Sequence, residues 1–117
     1  MTPLLLDCRR LPGAALITVA GEVDATNSPQ LEAFLAQARQ DGCERLVLDL
    51  AELRFIDSSG LQVLIACHDV SRAHGGGLHL AALGPSPSRL LQITGLCAYF
   101  SVHDTVQDAL AAAFEAA

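Results

Sequence analysis

Apolar residues along this chain alternate between short runs and helical stripes, and the alternation predicts a regular succession of strands and helices. Leu4 to Leu6 and Ala14 to Ala20 read as two strands joined by a turn at Leu11-Pro12-Gly13, and Gly21-Glu22-Val23-Asp24 ends the second strand and opens a polar loop. Asn27-Ser28-Pro29 marks a helix start, with Ser28 as cap and Pro29 at the first helical position. Leu31, Phe34, Leu35 and Ala38 then recur at i, i+3, i+4 and i+7, one apolar stripe, and Asp41-Gly42 closes the helix.

Arg45 to Leu50 is nearly continuous in apolar residues, as expected of a central strand covered on both faces. A polar stretch, Ala51 to Arg54, leads through Phe55-Ile56 to a second helix over about Ser59 to Ala73, with Leu61, Leu64, Ile65 and Cys67 at apolar positions. Leu61, Leu64 and Ile65 are expected to face the sheet. Gly75-Gly76-Gly77 stops that helix as a flexible turn, and Leu78 to Leu83 is a further strand. Ser86-Pro87 opens a short helix containing Leu90 and Leu91, and Gly95 terminates it. Tyr99 to Val102 gives a last strand. Asp104 with Gln107 resembles a capping box ahead of a final helix that carries Val106, Ala109, Leu110 and Ala113. The predicted order is β-β-α-β-α-β-α-β-α, one α/β domain over residues 1–117 with a mixed, mainly parallel sheet.

Composition sharpens this picture. Of 117 residues, 51% are hydrophobic and Trp is absent, so the core is expected to be Leu, Val, Ile and Ala, sufficient without disulfide or metal staples. The net charge of −6, with no Lys/Arg cluster, argues against nucleic acid and against docking on anionic membranes. Cys8, Cys43, Cys67 and Cys97 form no C-x-x-C pair and read as small buried hydrophobes of a reduced compartment. Met1 to Cys8 has no basic region like that of a signal peptide, and no apolar run approaches the roughly 20 residues that span a bilayer. A cytoplasmic protein without membrane insertion is expected.

Catalytic motifs do not emerge. No G-x-x-x-x-G-K-[ST] occurs, and the glycine triplet follows a helix and precedes a strand, the wrong order for a phosphate loop. His68, His74, His79 and His103 lack metal-ligand spacing, although His74 and His79 flank the glycine turn and could meet as a surface pair. Ser58 lies at a strand-to-helix junction, yet Ile56-Asp57-Ser58-Ser59-Gly60 is not the G-x-S-x-G elbow of a hydrolase. No enzyme activity, cofactor or metal is expected. Asp49 as a response-regulator-like acceptor lacks the acidic pair after a first strand that would hold Mg²⁺. What stands out is Asp57-Ser58-Ser59-Gly60-Leu61: in bland terms a helix N-terminus, but at a sheet end where α/β folds place functional loops, and where a helix start favours a phosphate.

Taken whole, Leu46-Val47-Leu48-Asp49-Leu50-Ala51-Glu52-Leu53-Arg54-Phe55-Ile56-Asp57-Ser58-Ser59-Gly60-Leu61 resembles the signature segment of STAS-domain anti-sigma factor antagonists. Gly21-Glu22-Val23-Asp24 is similar to the family's G-E-[LIV]-D turn. Gly76-Gly77 before Leu78, Pro87, Arg89-Leu90-Leu91 and Thr94-Gly95-Leu96 follow the later pattern in order. The resemblance implies a STAS-like fold and a switch. Ser58 would be phosphorylated by a serine-kinase anti-sigma factor; the unmodified form would bind that kinase and free the sigma factor, and a PP2C-type phosphatase would reset it. It further implies that Asp24, Asp57, Ser58, Ser59, Gly60 and Leu61 make the partner-binding region. The rival within the same fold is a non-switching STAS adaptor subunit of a lipid-transport or other membrane-associated assembly, with Ser58 merely a cap.

Overall fold

The computed structural model describes residues 2–40 and 43–115; the expected helix stop at Asp41-Gly42 lies outside them. A hairpin of β1 (Leu5–Leu11) and β2 (Ala14–Val23) leads into α1 (Ser28–Ala38), followed by β3 (Arg45–Asp49), β4 (Leu53–Ile56), α2 (Ser58–Ala73), β5 (Gly77–Ala81), α3 (Pro85–Thr94), β6 (Ser101–His103) and α4 (Val106–Glu115). The sheet runs β1-β2-β3-β5-β6, antiparallel only between β1 and β2, with β4 joined to β2 beside β3. The α/β class and the mixed, mainly parallel sheet are as predicted, and β3 lies at its centre.

Ten elements form where nine were expected, because the stretch from Ala51 contains a strand. Leu53-Arg54-Phe55-Ile56 has a buried–exposed–exposed–buried pattern that lacks the two-residue period of a strand. Its partner is the end of β2, which was expected to have become loop. Ala15 to Thr18 of β2 pair with Leu46 to Asp49, and after an irregularity at Gly21/Glu22 the strand continues through Val23 against β4. Gly21 makes this possible: it has a φ of +101°, and a Cβ there would lie 2.0 Å from the Pro3 carbonyl oxygen.

The two sheet faces carry unequal cores. On one, Leu31 and Leu35 of α1 and Leu61, Leu64 and Cys67 of α2 bury against Ile17, Leu46, Leu48, Leu78 and Leu80, with Ile65 partly buried beside them. On the other, Ala109 and Ala113 of α4 cover Val47 and Ala81, with Val106 and Leu110 at the margin. Leu46 and Leu48 thus face one core and Val47 the other, the physical meaning of the near-continuous apolar run.

Several helix ends differ from expectation. Asn27, not Ser28, precedes α1, and its side chain makes no cap bond; Ser28 is the first helical residue and is buried. In α3 the cap position belongs to Gly84 and Ser86 lies inside the helix, whereas Gly95 ends it in the left-handed conformation as expected. Thr105 Oγ1 accepts from Asp108 N at 3.0 Å ahead of α4, so Thr105 replaces the anticipated Asp104/Gln107 box. β5 ends at Ala81 because Ala82 adopts a φ of +60°. The glycine triplet is more than a flexible turn: a Cβ on Gly76 would meet the Glu44 carbonyl oxygen at 2.0 Å.

Candidate functional site

At the end of β4 the chain turns directly into α2, and Asp57 makes the junction. Its backbone is extended, its N–H donates to Val23 O at 3.2 Å, and its carbonyl accepts from Leu61 N at 3.0 Å. Asp57 Oδ1 accepts from Ser59 N at 2.9 Å and Gly60 N at 3.3 Å, satisfying two of the amides that a helix start leaves without intrahelical partners. The Asp57 carboxylate is thereby turned onto the helix end.

Ser58, the first residue of α2, is exposed, and its hydroxyl makes no hydrogen bond among the described residues. Ser59 is half-buried. The expectation that Ser58 precedes the helix and Ser59 enters it is corrected: both lie in the first turn, and exposure distinguishes them. Gly60 is buried, and its missing side chain is structural. A Cβ there would lie 2.5 Å from Ile56 Cγ1 and 2.7 Å from Val23 Cγ1. Leu61 is 5% exposed and points into the main core. Gly60 and Leu61 therefore shape this surface from beneath.

Asp24 begins the loop between β2 and α1. Its Oδ1 accepts from Thr26 N at 2.9 Å and from the Thr26 hydroxyl, and these bonds hold its carboxyl below the ordinary carboxylate range. Asn27 clamps the loop from within: its Oδ1 accepts from Asp24 N and its Nδ2 donates to Glu22 O, both at 2.9 Å. The loop borders the start of α2 through a groove of about 320 Å³ in which Ala25 and Ser28 meet Ser59, Gln62 and Val63. Asp24 is not part of that groove's lining. Asp49, the rival acceptor, is half-buried and accepts from Ala51 N at 3.1 Å.

The histidines lie elsewhere. His68, 4% exposed, accepts through Nδ1 from Leu78 N at 2.9 Å and stands edge-on to Tyr99 and Phe100, with centroids 5.3 and 5.4 Å away. Burial pushes its pKa down. His79 meets His103, at 3.4 Å between Nδ1 and Nε2, rather than the expected His74, whose Nδ1 faces Val70 O. No group of three or more His, Cys, Asp or Glu able to hold a metal occurs among the described residues. The cysteines are free: Cys67 is buried, Cys8 and Cys43 are half-buried, and Cys97 is exposed, so the buried-hydrophobe reading fails for Cys97. No helix is long and apolar enough to cross a membrane among the described residues.

The STAS domain family matches residues 6–109. BtrV of Bordetella bronchiseptica is 35% identical over 92% of both chains. The anti-sigma F factor antagonist of Paenibacillus polymyxa is 31% identical over 84% of this chain and 85% of its own length. In structure, an anti-sigma factor antagonist from Mycobacterium paratuberculosis superposes with a TM-score of 0.86 at 30% identity, covering 95% of this chain and 94% of that one. The resemblance carried by Leu46 to Leu61, by Gly21 to Asp24 and by the later segments from Gly76 to Leu96 is matched along nearly the entire fold, and the chain belongs to the STAS-domain anti-sigma factor antagonists.

Proposed function

We propose that this protein is a partner switch thrown at Ser58. In the unmodified state it binds a serine-kinase anti-sigma factor and so frees the sigma factor. Transfer of a phosphoryl group to the Ser58 hydroxyl dissolves the complex, and a PP2C-type phosphatase restores it, all within the cytoplasm. The observation that carries this reading is the disposition of the junction: Ser58 is exposed with an unengaged hydroxyl, while the neighbouring Asp57 carboxylate is occupied by Ser59 N and Gly60 N. Asp24 and Asp57 hold the two loops in shape, Ser58 and Ser59 form the surface, and Gly60 and Leu61 support it.

The energetics suit a switch that changes the interface and spares the fold. Phosphorylation adds about −1.5 to −2 charges near neutral pH. At the start of a 16-residue helix the dipole offsets roughly 0.3–2 kcal/mol of that within the domain. A partner carboxylate about 5 Å away would be repelled by roughly 3 kcal/mol per unit charge at an effective dielectric near 20. Since about 1.4 kcal/mol is tenfold in affinity, one such contact weakens the complex by about a hundredfold or more.

Incubation with the cognate kinase and ATP, followed by peptide mass spectrometry, is expected to place a single phosphate on Ser58. Ser58→Ala should fold, bind the kinase and resist release by ATP; Ser58→Asp should fold and bind more weakly. Phosphate on Ser59 alone would move the acceptor by one residue. Equal kinase affinity for the unmodified and phosphorylated protein would refute the mechanism.

A further inference from the structure

β1 ends the sheet on one side, and no described strand lies beyond its outer edge. The hairpin turn fixes which residues that edge presents. Only Pro12 and Gly13 separate Leu11 from Ala14, so the Leu11–Ala14 pair must exchange hydrogen bonds directly; the alternative pattern would need such bonds between the adjacent residues Pro12 and Gly13. Leu11, Arg9, Asp7 and Leu5 therefore bond to β2, while Leu6 and Cys8 turn their N–H and C=O groups outward. The register from Leu5 to Leu11 is unbroken, so no bulge twists the edge away, and no proline interrupts its seven residues. The side chains of Leu6 and Cys8 pack against the main core, and those of Leu5, Asp7, Arg9 and Leu11 consequently project from the opposite face. There Asp7 and Arg9 are exposed, and Leu5 is 63% exposed.

We infer that this edge is an interface for a second copy of the chain, paired antiparallel to the first about Cys8. A two-fold axis brings the same strand against itself, and the outward groups of Leu6 and Cys8 allow such a pair to be centred on Asp7, Cys8 or Arg9. Charge decides among the three. Centring on Asp7 sets Asp7 against Asp7, and centring on Arg9 sets Arg9 against Arg9; like charges directly opposite each other oppose pairing. Centring on Cys8 sets Asp7 against Arg9 twice, once on each side of the axis, and lays each Leu5 against the partner's Leu11. Charges on an edge strand commonly keep a second strand away, but here their signs are opposite and they lie symmetrically about Cys8. The same register covers the exposed Leu5 side chain and satisfies the outward backbone groups of Cys8. The two sheets then continue as one across the axis, and each assembly carries two copies of Ser58. This assignment is independent of the reading of Ser58 as a switch.

Sedimentation equilibrium of the purified full chain over a concentration series tests this, with denaturant melts to check that each variant is folded. Wild type is expected to pass from monomer to dimer as concentration rises. Arg9→Asp turns both cross-axis pairs from attractive to repulsive and should weaken the dimer about tenfold or more. Adding Asp7→Arg to it restores opposite charges in the same register and should bring the dimer back to near wild-type strength. Cys8→Pro removes an outward N–H without touching the ladder to β2, and should abolish the dimer. Ile93→Ser, at a site 74% exposed on α3, serves as control and should dimerise as wild type does. In a Cys97→Ser background, which removes the exposed cysteine, a short bismaleimide should join Cys8 to Cys8 in peptide maps, and Arg9→Asp should suppress that product. A wild-type protein that stays monomeric up to about 1 mM overturns the assignment. So does a dimer that Arg9→Asp leaves intact, that the double charge exchange fails to rescue, or that Ile93→Ser disrupts instead.

Discussion

Replacing Gly60 by alanine sets two opposing effects against each other at the centre of the site. Alanine is the better helix former, by up to about 1 kcal/mol in a helix interior and less in a first turn. Against that stands a new methyl group 2.5 Å from Ile56 Cγ1, 2.7 Å from Val23 Cγ1 and 2.9 Å from Ile56 Cδ1. Carbon atoms rest at about 3.5–4.0 Å, so both neighbours must retreat by about 1 Å. Val23 is completely buried and Ile56 is 5% exposed, both β-branched and held in paired strands, which leaves little room for retreat. Overpacking of this kind costs about 1–3 kcal/mol. The clash wins, and the expected net loss is about 1–2 kcal/mol, a fall in Tm of roughly 4–8 °C for a domain of this size. Urea melts of wild type and Gly60→Ala, with the exposed Gln62→Ala as a same-helix control, measure it. The displacement would also disturb Val23 O, on which the Asp57 amide hangs, so kinase binding should weaken together with stability. A Gly60→Ala protein as stable as wild type would show that Ile56 and Val23 yield freely and that the tight first turn is not enforced by packing.

Asp57→Ala removes the acceptor for Ser59 N and Gly60 N and should cost about 1 kcal/mol in denaturant melts, whereas Asp57→Asn should keep most of that cap. Leu64→Ala, at 3% exposure in the main core, should cost about 2–5 kcal/mol; a loss under about 0.5 kcal/mol would remove α2's inner face from the core. Stability should also decline with acid. His68 is held below the ordinary histidine range by burial and by Arg72, partly countered by Asp69 and the Tyr99 backbone, and His79 by burial, His103 and His68. Unfolded chains then bind more protons as pH falls through the ordinary value of 6.5, so this stability is full above that value and is lost as pH drops toward the lowered folded pKa values. Urea midpoints at about pH 7.5 and about pH 5.5 test it, and His68→Gln, which can still accept from Leu78 N, should reduce the difference. A midpoint independent of pH would exclude both histidines as the origin.

How much of this was legible in the sequence depends on where each signal resides. Helix stripes such as Leu31, Phe34, Leu35 and Ala38 announce a buried face because period and burial coincide. The doubly covered run Leu46 to Leu48 is equally plain, and so is Gly95, whose left-handed conformation is a local property of the chain. β4 is not local: it is held by β2, whose end appears polar from Gly21 to Asp24 and becomes strand only because β4 arrives to pair with it. Caps failed in a similar way. Asn27, Ser28 and Asp104 are all competent capping residues, but the Asn27 amide is engaged by Asp24 N and Glu22 O, Ser28 is buried as the first helical residue, and Thr105 accepts from Asp108 N. In the site, the order Asp57-Ser58-Ser59-Gly60 was legible as a motif, whereas the exposure of Ser58 against the burial of Gly60 needed the packing of Val23 and Ile56.

The thin seam under α4 bears on amide hydrogen exchange. Ala109 and Ala113 press methyl groups onto Val47 and Ala81, while α1 and α2 set leucines against leucines on the opposite face. A methyl-sized contact withdraws far less apolar surface from water than an isobutyl one, at about 0.8 kcal/mol per buried CH₂. Phe114, the one aromatic on α4, lies outside this seam and stays 43% exposed. Detaching α4 therefore asks for only a fraction of the free energy of global unfolding, and its amides should exchange deuterium through partial openings that leave β3 protected. On the deuteration timescale the domain should divide into a slow body, which carries Ser58, and a faster-exchanging flap on its reverse side.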